Sequence, residues 1–572
     1  MQSPLFYQLF TLASLLILSA CAKTPDTSVA DHLFINGKVY TVDEANPWVE
    51  AFATKGDRIV ATGTTAEIKG LAAADTEVTD LEGRFVMPGF IEGHAHFGGL
   101  GNSLLNLNLL ATTSWAEIID SVRVRAERAK PGDWIYGRGW HQEKWTDTGY
   151  ETVDGYPLHD ALSEVSPNNP VVLTHASGHG AMANAAAMKA SGISSETADP
   201  EGGRILRNAH GEPIGIFEER ATAQLYEALQ AYYASLPQED RIAEQVQAWK
   251  LASKACIEQG ITSFQDAGTS RRDLEALKVL AEADSLDVRL WMMLRESCEE
   301  MAGADGSADG LPWIDIGKHK LTVRAIKTEL DGALGSYGAW LLEPYSDKPD
   351  FMGQNTTTIE EVECIADLAF DKHMQLCVHA IGDRANHEML NIIERYSSRV
   401  DTALRWRNEH SQHVAVEDIP RFASTGTIAS MQGIHATSDA PFVVARLGVE
   451  RARTGAYAWR SLLDAGAVVT NGTDAPVEEV SALASLYAMT TRKQKPGGEA
   501  FFPEQALTRE ESIYAYTMAN AYAAFEEDQK GSITVGKLAD FIVLDRNLVE
   551  CNVDSIPNAK VLSTFVGSKK VL

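Results

Sequence analysis

Two histidines one residue apart, His94 and His96, end the run Val86-Met87-Pro88-Gly89-Phe90-Ile91-Glu92-Gly93-His94-Ala95-His96. On a β-strand alternate side chains share a face, so the two imidazoles project together and can hold one divalent ion. Standing alone, such a pair is a weak signal, more often two polar strand residues than a metal site. Three later residues change the balance: His379 in Val378-His379-Ala380-Ile381-Gly382-Asp383, His410 in Asn408-Glu409-His410-Ser411-Gln412, and Asp474 in Asn471-Gly472-Thr473-Asp474-Ala475-Pro476. Each ends a strand-like segment. Each is bland singly, as a core histidine or a capping aspartate, but together they supply four imidazoles and a carboxylate, a donor set suited to Zn²⁺ and related divalent ions. Such an ion lowers the pKa of bound water from about 15.7 toward ~7 and polarises a carbonyl, which is hydrolytic chemistry. Asp474, anionic before attack and neutral after it, suits transfer of a proton from the attacking water to a leaving amine. His435 also stands at a strand end, a place to touch substrate.

These residues need elements that bring distant strand ends to one mouth. Eight strand-like segments are spaced along the chain: 85–97, 261–268, 288–296, 323–331, 375–383, 405–412, 427–435 and 467–476. Most are followed by helix-like stretches such as 359–373 and 386–396, the alternation of parallel β/α units. In a (β/α)8 barrel the reactive groups gather at the C-terminal ends of the strands. The stretch between the first two strands is too long for one loop and carries its own strand signals, Trp134–Trp140 and Val171–His175. It is expected to form an inserted subdomain over about 100–258 that roofs the site, with Trp140 and Trp145 as an apolar wall or simply core. Short β-branched strands at the two chain ends, 32–84 and 526–572, are expected to pair as one β-sandwich beside a barrel spanning 85–525.

The motifs resemble those of the metal-dependent amidohydrolase superfamily, and within it amidohydrolase family 3, the YtcJ-like branch. The likeness rests on Pro88-Gly89-Phe90-Ile91 with His94 and His96, on Lys327 before Asp331-Gly332, on His379–Asp383 and on Glu409-His410. Ser430-Met431-Gln432 with His435-Ala436-Thr437-Ser438-Asp439 completes it. It implies a distorted (β/α)8 TIM barrel with a urease-like β-sandwich formed from both chain ends. It also implies roles: His94 and His96 bind one ion, His379 and His410 a second, Asp474 touches the first, and Lys327 bridges the two as a carboxylysine. One or two divalent ions per chain, zinc foremost, follow from it. His175 and His179 of the inserted segment would face the substrate. The chain departs from the family pattern at Glu92, where Asp is usual, and at His141, where an acidic residue commonly follows Gly-Trp.

With 50 Lys+Arg against 79 Asp+Glu, the formal net charge of −29 repels phosphate backbones and excludes nucleic acid as a partner. A small-molecule substrate is expected, and the sequence is compatible with a homo-oligomer. Residues 1–21 read as a signal peptide: an apolar run too short to span a membrane, ending Leu18-Ser19-Ala20-Cys21. That ending resembles a bacterial lipobox, although the n-region carries no Lys or Arg. Cys21 would be the lipidated first residue, residues 22–31 a tether, and the protein exported and held on a membrane, periplasm-facing, through its lipid anchor only. The other cysteines, 256, 298, 364, 377 and 551, show neither a CxxC pair nor a disulfide scaffold. The function expected is hydrolysis of C–N bonds in amides, N-acyl compounds or cyclic amides. Ring deamination, an esterase-like activity and a non-catalytic binding barrel stay open.

Overall fold

Eight parallel strands, each overlapping the segment expected to form it, make a nearly closed barrel in sequence order: β1 Phe90–Ala95, β2 Ile261–Thr269, β3 Arg289–Leu294, β4 Leu321–Glu329, β5 Gln375–Ala380, β6 Arg407–His410, β7 Ile428–Gln432 and β8 Val468–Gly472. The computed structural model describes residues 29–142, 145–146, 149–175, 180–200, 202–303 and 305–572. The leader with Cys21, most of the tether, and His179 lie outside the described residues.

The closing seam between β8 and β1 explains two glycines. Instead of a regular ladder, the Asp474 N–H donates to the His94 carbonyl (2.7 Å) and the His96 N–H to the Ala475 carbonyl (2.8 Å). The strands approach so closely that a Cβ on Gly472 would lie 2.5 Å from Glu92 Oε1, and one on Gly93 2.5 Å from the Asn471 carbonyl. The seam therefore joins the segment carrying His94 and His96 to the one carrying Asp474 by backbone bonds.

The expected first strand, 85–97, is two. Phe85–Pro88 pairs antiparallel with Phe541–Leu544 and parallel with Lys38–Tyr40 in a six-stranded sheet, and β1 begins only after Gly89. A boundary before Phe85 is thus corrected to Gly89, where a Cβ would lie 2.2 Å from the Thr262 methyl. The chain there passes from one sheet into another against β2. That six-stranded sheet faces a four-stranded one built from 32–35, 51–55, 58–63 and 77–80, and Phe34, Phe52, Phe541 and Phe565 fill the space between them. The buried Arg289–Asp540 ion pair (2.7 Å) ties β3 to this layer.

Between β1 and β2, a separate six-stranded mixed sheet comprises 107–108, 135–140, 171–175, 180–183, 203–207 and 213–219. Trp140 is its core residue, its indole N–H donating to the Leu173 carbonyl (2.8 Å), and Trp145 packs beside it. Both belong to the packed core of this sheet. The cysteines hold one surprise: Cys298, after β3, is disulfide-bonded to Cys364 on the helix Ile359–Asp371, with Cα atoms 6.1 Å apart. Nothing in their sequence spacing of 66 residues signals that pairing.

Candidate metal centre

The structure brings His94, His96, His379, His410, His435 and Asp474 to the C-terminal mouth of the barrel. Asp474 Oδ1 lies 3.6 Å from His94 Nε2 and 3.3 Å from His96 Nε2, while its Oδ2 lies 3.8 Å from His435 Nε2. The rings of His94 and His379 stand 4.6 Å and 4.5 Å from that of His410. Among the described residues, two triads have donor atoms within 4.8 Å of one another: His94, His96 and Asp474, and His410, His435 and Asp474.

Strand alternation alone would not converge these groups. On β6, Arg407 and Glu409 share the inward face, so His410 should point outward with Asn408, which hydrogen-bonds the helix residue Asn386. His410 escapes the alternation by a left-handed backbone (φ 76°), and Ser411 (42°) and Asp474 (59°) do the same. Such conformations cost on the order of 1–3 kcal/mol each and persist where surroundings enforce them. For Asp474 the enforcer is buried Glu92. Its Oε1 accepts from the Thr473 N–H (2.6 Å) and its Oε2 from the Thr473 and Tyr516 hydroxyls (3.1 and 3.2 Å). Asp266 on β2 serves β1 similarly, accepting from the Phe97 N–H (2.7 Å) just beyond His96. Asp331, at the end of β4, accepts from the Ile381 and Gly382 N–H groups (2.9 and 2.8 Å) and so holds the turn that follows His379.

The protonation states suit a cation. Burial lowers the pKa of His94, although Glu409 opposes it, and burial with the neighbouring His379 and His94 takes His410 well down. Burial and the Lys327 charge bring His379 to about 3. Burial opposes ionisation of Asp474, but the neighbouring His96, His410 and His94 outweigh it and hold the carboxyl below its ordinary range. Lys327, on β4 and 3% exposed, is also shifted down by burial, which favours a neutral amine. Neutral imidazoles beside an anionic carboxylate are the forms that ligate.

A buried ion pair supports the histidines from below. His94 Nδ1 donates to Glu409 Oε2 (2.5 Å), and Glu409 Oε1 meets Arg407 Nε at 2.6 Å. Arg407 also donates to Gln265 Oε1 (2.5 Å), the Gly93 carbonyl and Ser430 Oγ (both 2.7 Å). With Nδ1–H committed to Glu409, His94 presents a lone pair at Nε2, and that buried atom has no hydrogen-bond partner. An orphaned lone pair beside an anionic oxygen and a second histidine fits a divalent ion, so His94, His96 and Asp474 are the residues that would hold one. Arg407 was not singled out from sequence, and Gln412 and Gln432 appeared there only within the motifs around His410 and His435. For Arg407 and Glu409 a signal existed: two charged residues two apart on an otherwise buried strand.

Lys327 lies in register with Cys377 on β5. His175 ends the strand 171–175 of the inserted sheet, bonded to Gln142 (3.1 Å) with its ring 4.7 Å from those of Trp140 and His141.

The chain is 30% identical over 566 residues to the protein LONG AFTER FAR-RED 3 of Arabidopsis thaliana, covering 96% of this chain and 92% of that one. It is 30% identical over 518 residues to the putative amidohydrolase YtcJ of Bacillus subtilis, with 89% and 93% covered. With the N-substituted formamide deformylase of Arthrobacter pascens it shares 28% over 559 residues, with 94% and 98% covered. The fold superposes with TM-score 0.74 on the crystal structure of an uncharacterized metal-dependent hydrolase from Pyrococcus horikoshii, at 24% identity, covering 91% of this chain and 99% of that one. A family model described as "Amidohydrolase family" matches residues 77–571, and with that span, barrel and donor set, the chain belongs to the amidohydrolase family.

Proposed function

We propose that this protein hydrolyses the C–N bond of a small N-acyl or N-formyl amine, or of a cyclic amide, outside the cytoplasm. The observation that carries the reading is the buried, unpartnered His94 Nε2 facing Asp474 and His96. A divalent ion, when bound there, activates water and polarises the scissile carbonyl. Asp474, anionic and held by the Glu92–Thr473 clamp, takes the proton of the attacking water and passes it to the leaving nitrogen. The products are a carboxylic acid and an amine. His379 and His410, with Lys327 as a carboxylysine, form the second ion position in this reading, and zinc is the metal expected. His175 and His179 are proposed substrate contacts. The relative from Arthrobacter pascens, named for N-substituted formamides, makes formyl amides the first substrates to try.

The disulfide Cys298–Cys364 supports an oxidising compartment, in keeping with export and with Cys21 as a lipid anchor. No described helix is long and apolar enough to cross a membrane.

The test is hydrolysis of a panel of N-formyl, N-acetyl and cyclic amides by zinc-loaded protein, before and after chelation. Activity abolished by chelator and restored by zinc is expected. His379→Ala is expected to remove activity with the fold intact; full activity in that variant refutes the assignment. Hydrolysis confined to esters or to ring amines would replace the amide reading.

A further inference from the structure

The site histidines differ in the kind of partner at Nδ1. His94 Nδ1 meets a carboxylate oxygen of Glu409 and His410 Nδ1 meets Gln432 Oε1 at 2.8 Å. Both oxygens accept, so each ring carries its hydrogen on Nδ1 and offers a lone pair at Nε2. His435 is the reverse. Its Nδ1 lies 3.1 Å from the side-chain amide nitrogen of Gln412, which can only donate. The lone pair of His435 is therefore at Nδ1 and its hydrogen at Nε2. That Nε2 is buried, has no hydrogen-bond partner, and lies 3.8 Å from Asp474 Oδ2.

Distance alone groups His435 with His410 and Asp474 as donors to an ion. The tautomer argues otherwise, because an N–H has no lone pair to give. We propose that His435 is a catalytic hydrogen-bond donor and no metal ligand: its Nε2–H holds the carbonyl oxygen of the substrate and the oxyanion that develops from it. The proposal rests on the hydrolytic reading above. Water oxygen bonds to the carbonyl carbon as the C=O π pair moves onto oxygen, where Nε2–H receives it, and the water proton goes to Asp474. The pair then returns, the C–N bond breaks, and the leaving nitrogen takes the proton from Asp474. His435 keeps its proton throughout. Gln412 is the positioning residue that makes it a donor.

The experiment compares zinc-loaded wild type with His435→Ala and His435→Gln, measuring metal-to-protein ratio and hydrolysis of an N-alkyl formamide. Loss of one such donor lowers kcat by about 10²–10³-fold. The expected result is that fall in His435→Ala with KM little changed, partial rescue by Gln, whose amide also donates, and an unchanged ion count in both. One ion fewer per chain in His435→Ala, or unchanged kcat, overturns the proposal. Gln412→Glu gives a readout that needs no substrate. Its carboxylate accepts from Nδ1, moves the lone pair to Nε2, and should alter the visible spectrum of the Co²⁺-loaded protein by adding a nitrogen ligand. An unaltered spectrum overturns the tautomer assignment. If the wild type hydrolyses no amide, the proposed function fails, while ion count and spectrum still decide whether His435 ligates.

Discussion

Replacing Glu409 tests whether the buried ion pair below the site acts as a support for His94. Arg407 and Glu409 are both fully buried and Glu409 is the only carboxylate within ion-pair distance of Arg407 among the described residues. Removing one partner of a buried pair leaves the other charge uncompensated, at a cost of about 3–5 kcal/mol. Three neutral acceptors remain on Arg407, at Gln265, Gly93 and Ser430, so the low end, about 3 kcal/mol, applies to Glu409→Leu. Glu409→Gln keeps an oxygen for His94 Nδ1 and should cost less. The second consequence is on metal. Groups that orient a ligating histidine are worth about 10–100-fold in affinity, so Leu should weaken zinc binding toward the 100-fold end and Gln toward tenfold. Urea unfolding of the chelated protein measures the first effect without the stabilisation that bound metal adds. Competition for zinc against a chromophoric chelator measures the second. Wild-type zinc affinity in Glu409→Leu would refute the idea that this pair positions His94. A stability change within about 0.5 kcal/mol, the range of a neutral surface substitution, would show that Arg407 does not depend on Glu409 for charge compensation.

Asp540 beside Arg289 predicts an acid-sensitive joint between barrel and sandwich. Burial opposes its ionisation, yet Arg289 holds the carboxyl below its ordinary value of 3.8. A depressed carboxyl stabilises the fold above its unfolded pKa and loses that contribution as pH falls through the folded value. Asp540→Asn should therefore cost about 3–5 kcal/mol at neutral pH, and the gap should narrow below about pH 4 in urea titrations. Replacing both Cys298 and Cys364 by Ser opens a 66-residue loop and should cost about 4 kcal/mol, read as a lower urea midpoint that reductant reproduces in the wild type. Zinc at about 100 times its Kd should raise unfolding free energy by about 2.7 kcal/mol for each ion bound, and a His94→Ala variant that has lost the first ion position should gain less than wild type by about that amount.

Much of the chemistry is written locally. His94 and His96 share a face because strands have a period of two, and each barrel strand was visible as a strand-like segment, several of them running from apolar residues into a reactive side chain. Periodicity and order along the chain survive folding unchanged, which is why the (β/α)8 succession and the list of candidate donors could be read without coordinates. Contacts between distant segments could not. His94 and Glu409 are 315 residues apart, and Glu92 grips Thr473 across 381. No local pattern records such pairings, because they exist only once β8 has closed on β1. The break at Gly89, where one apolar run divides between two sheets, and the Cys298–Cys364 bond are likewise outcomes of packing. Alternation even misdirects at His410, whose left-handed backbone turns it into the mouth. Residue type could nominate His435 for the site, but only the tertiary structure placed the Gln412 amide at its Nδ1, and that neighbour decides which nitrogen carries the hydrogen.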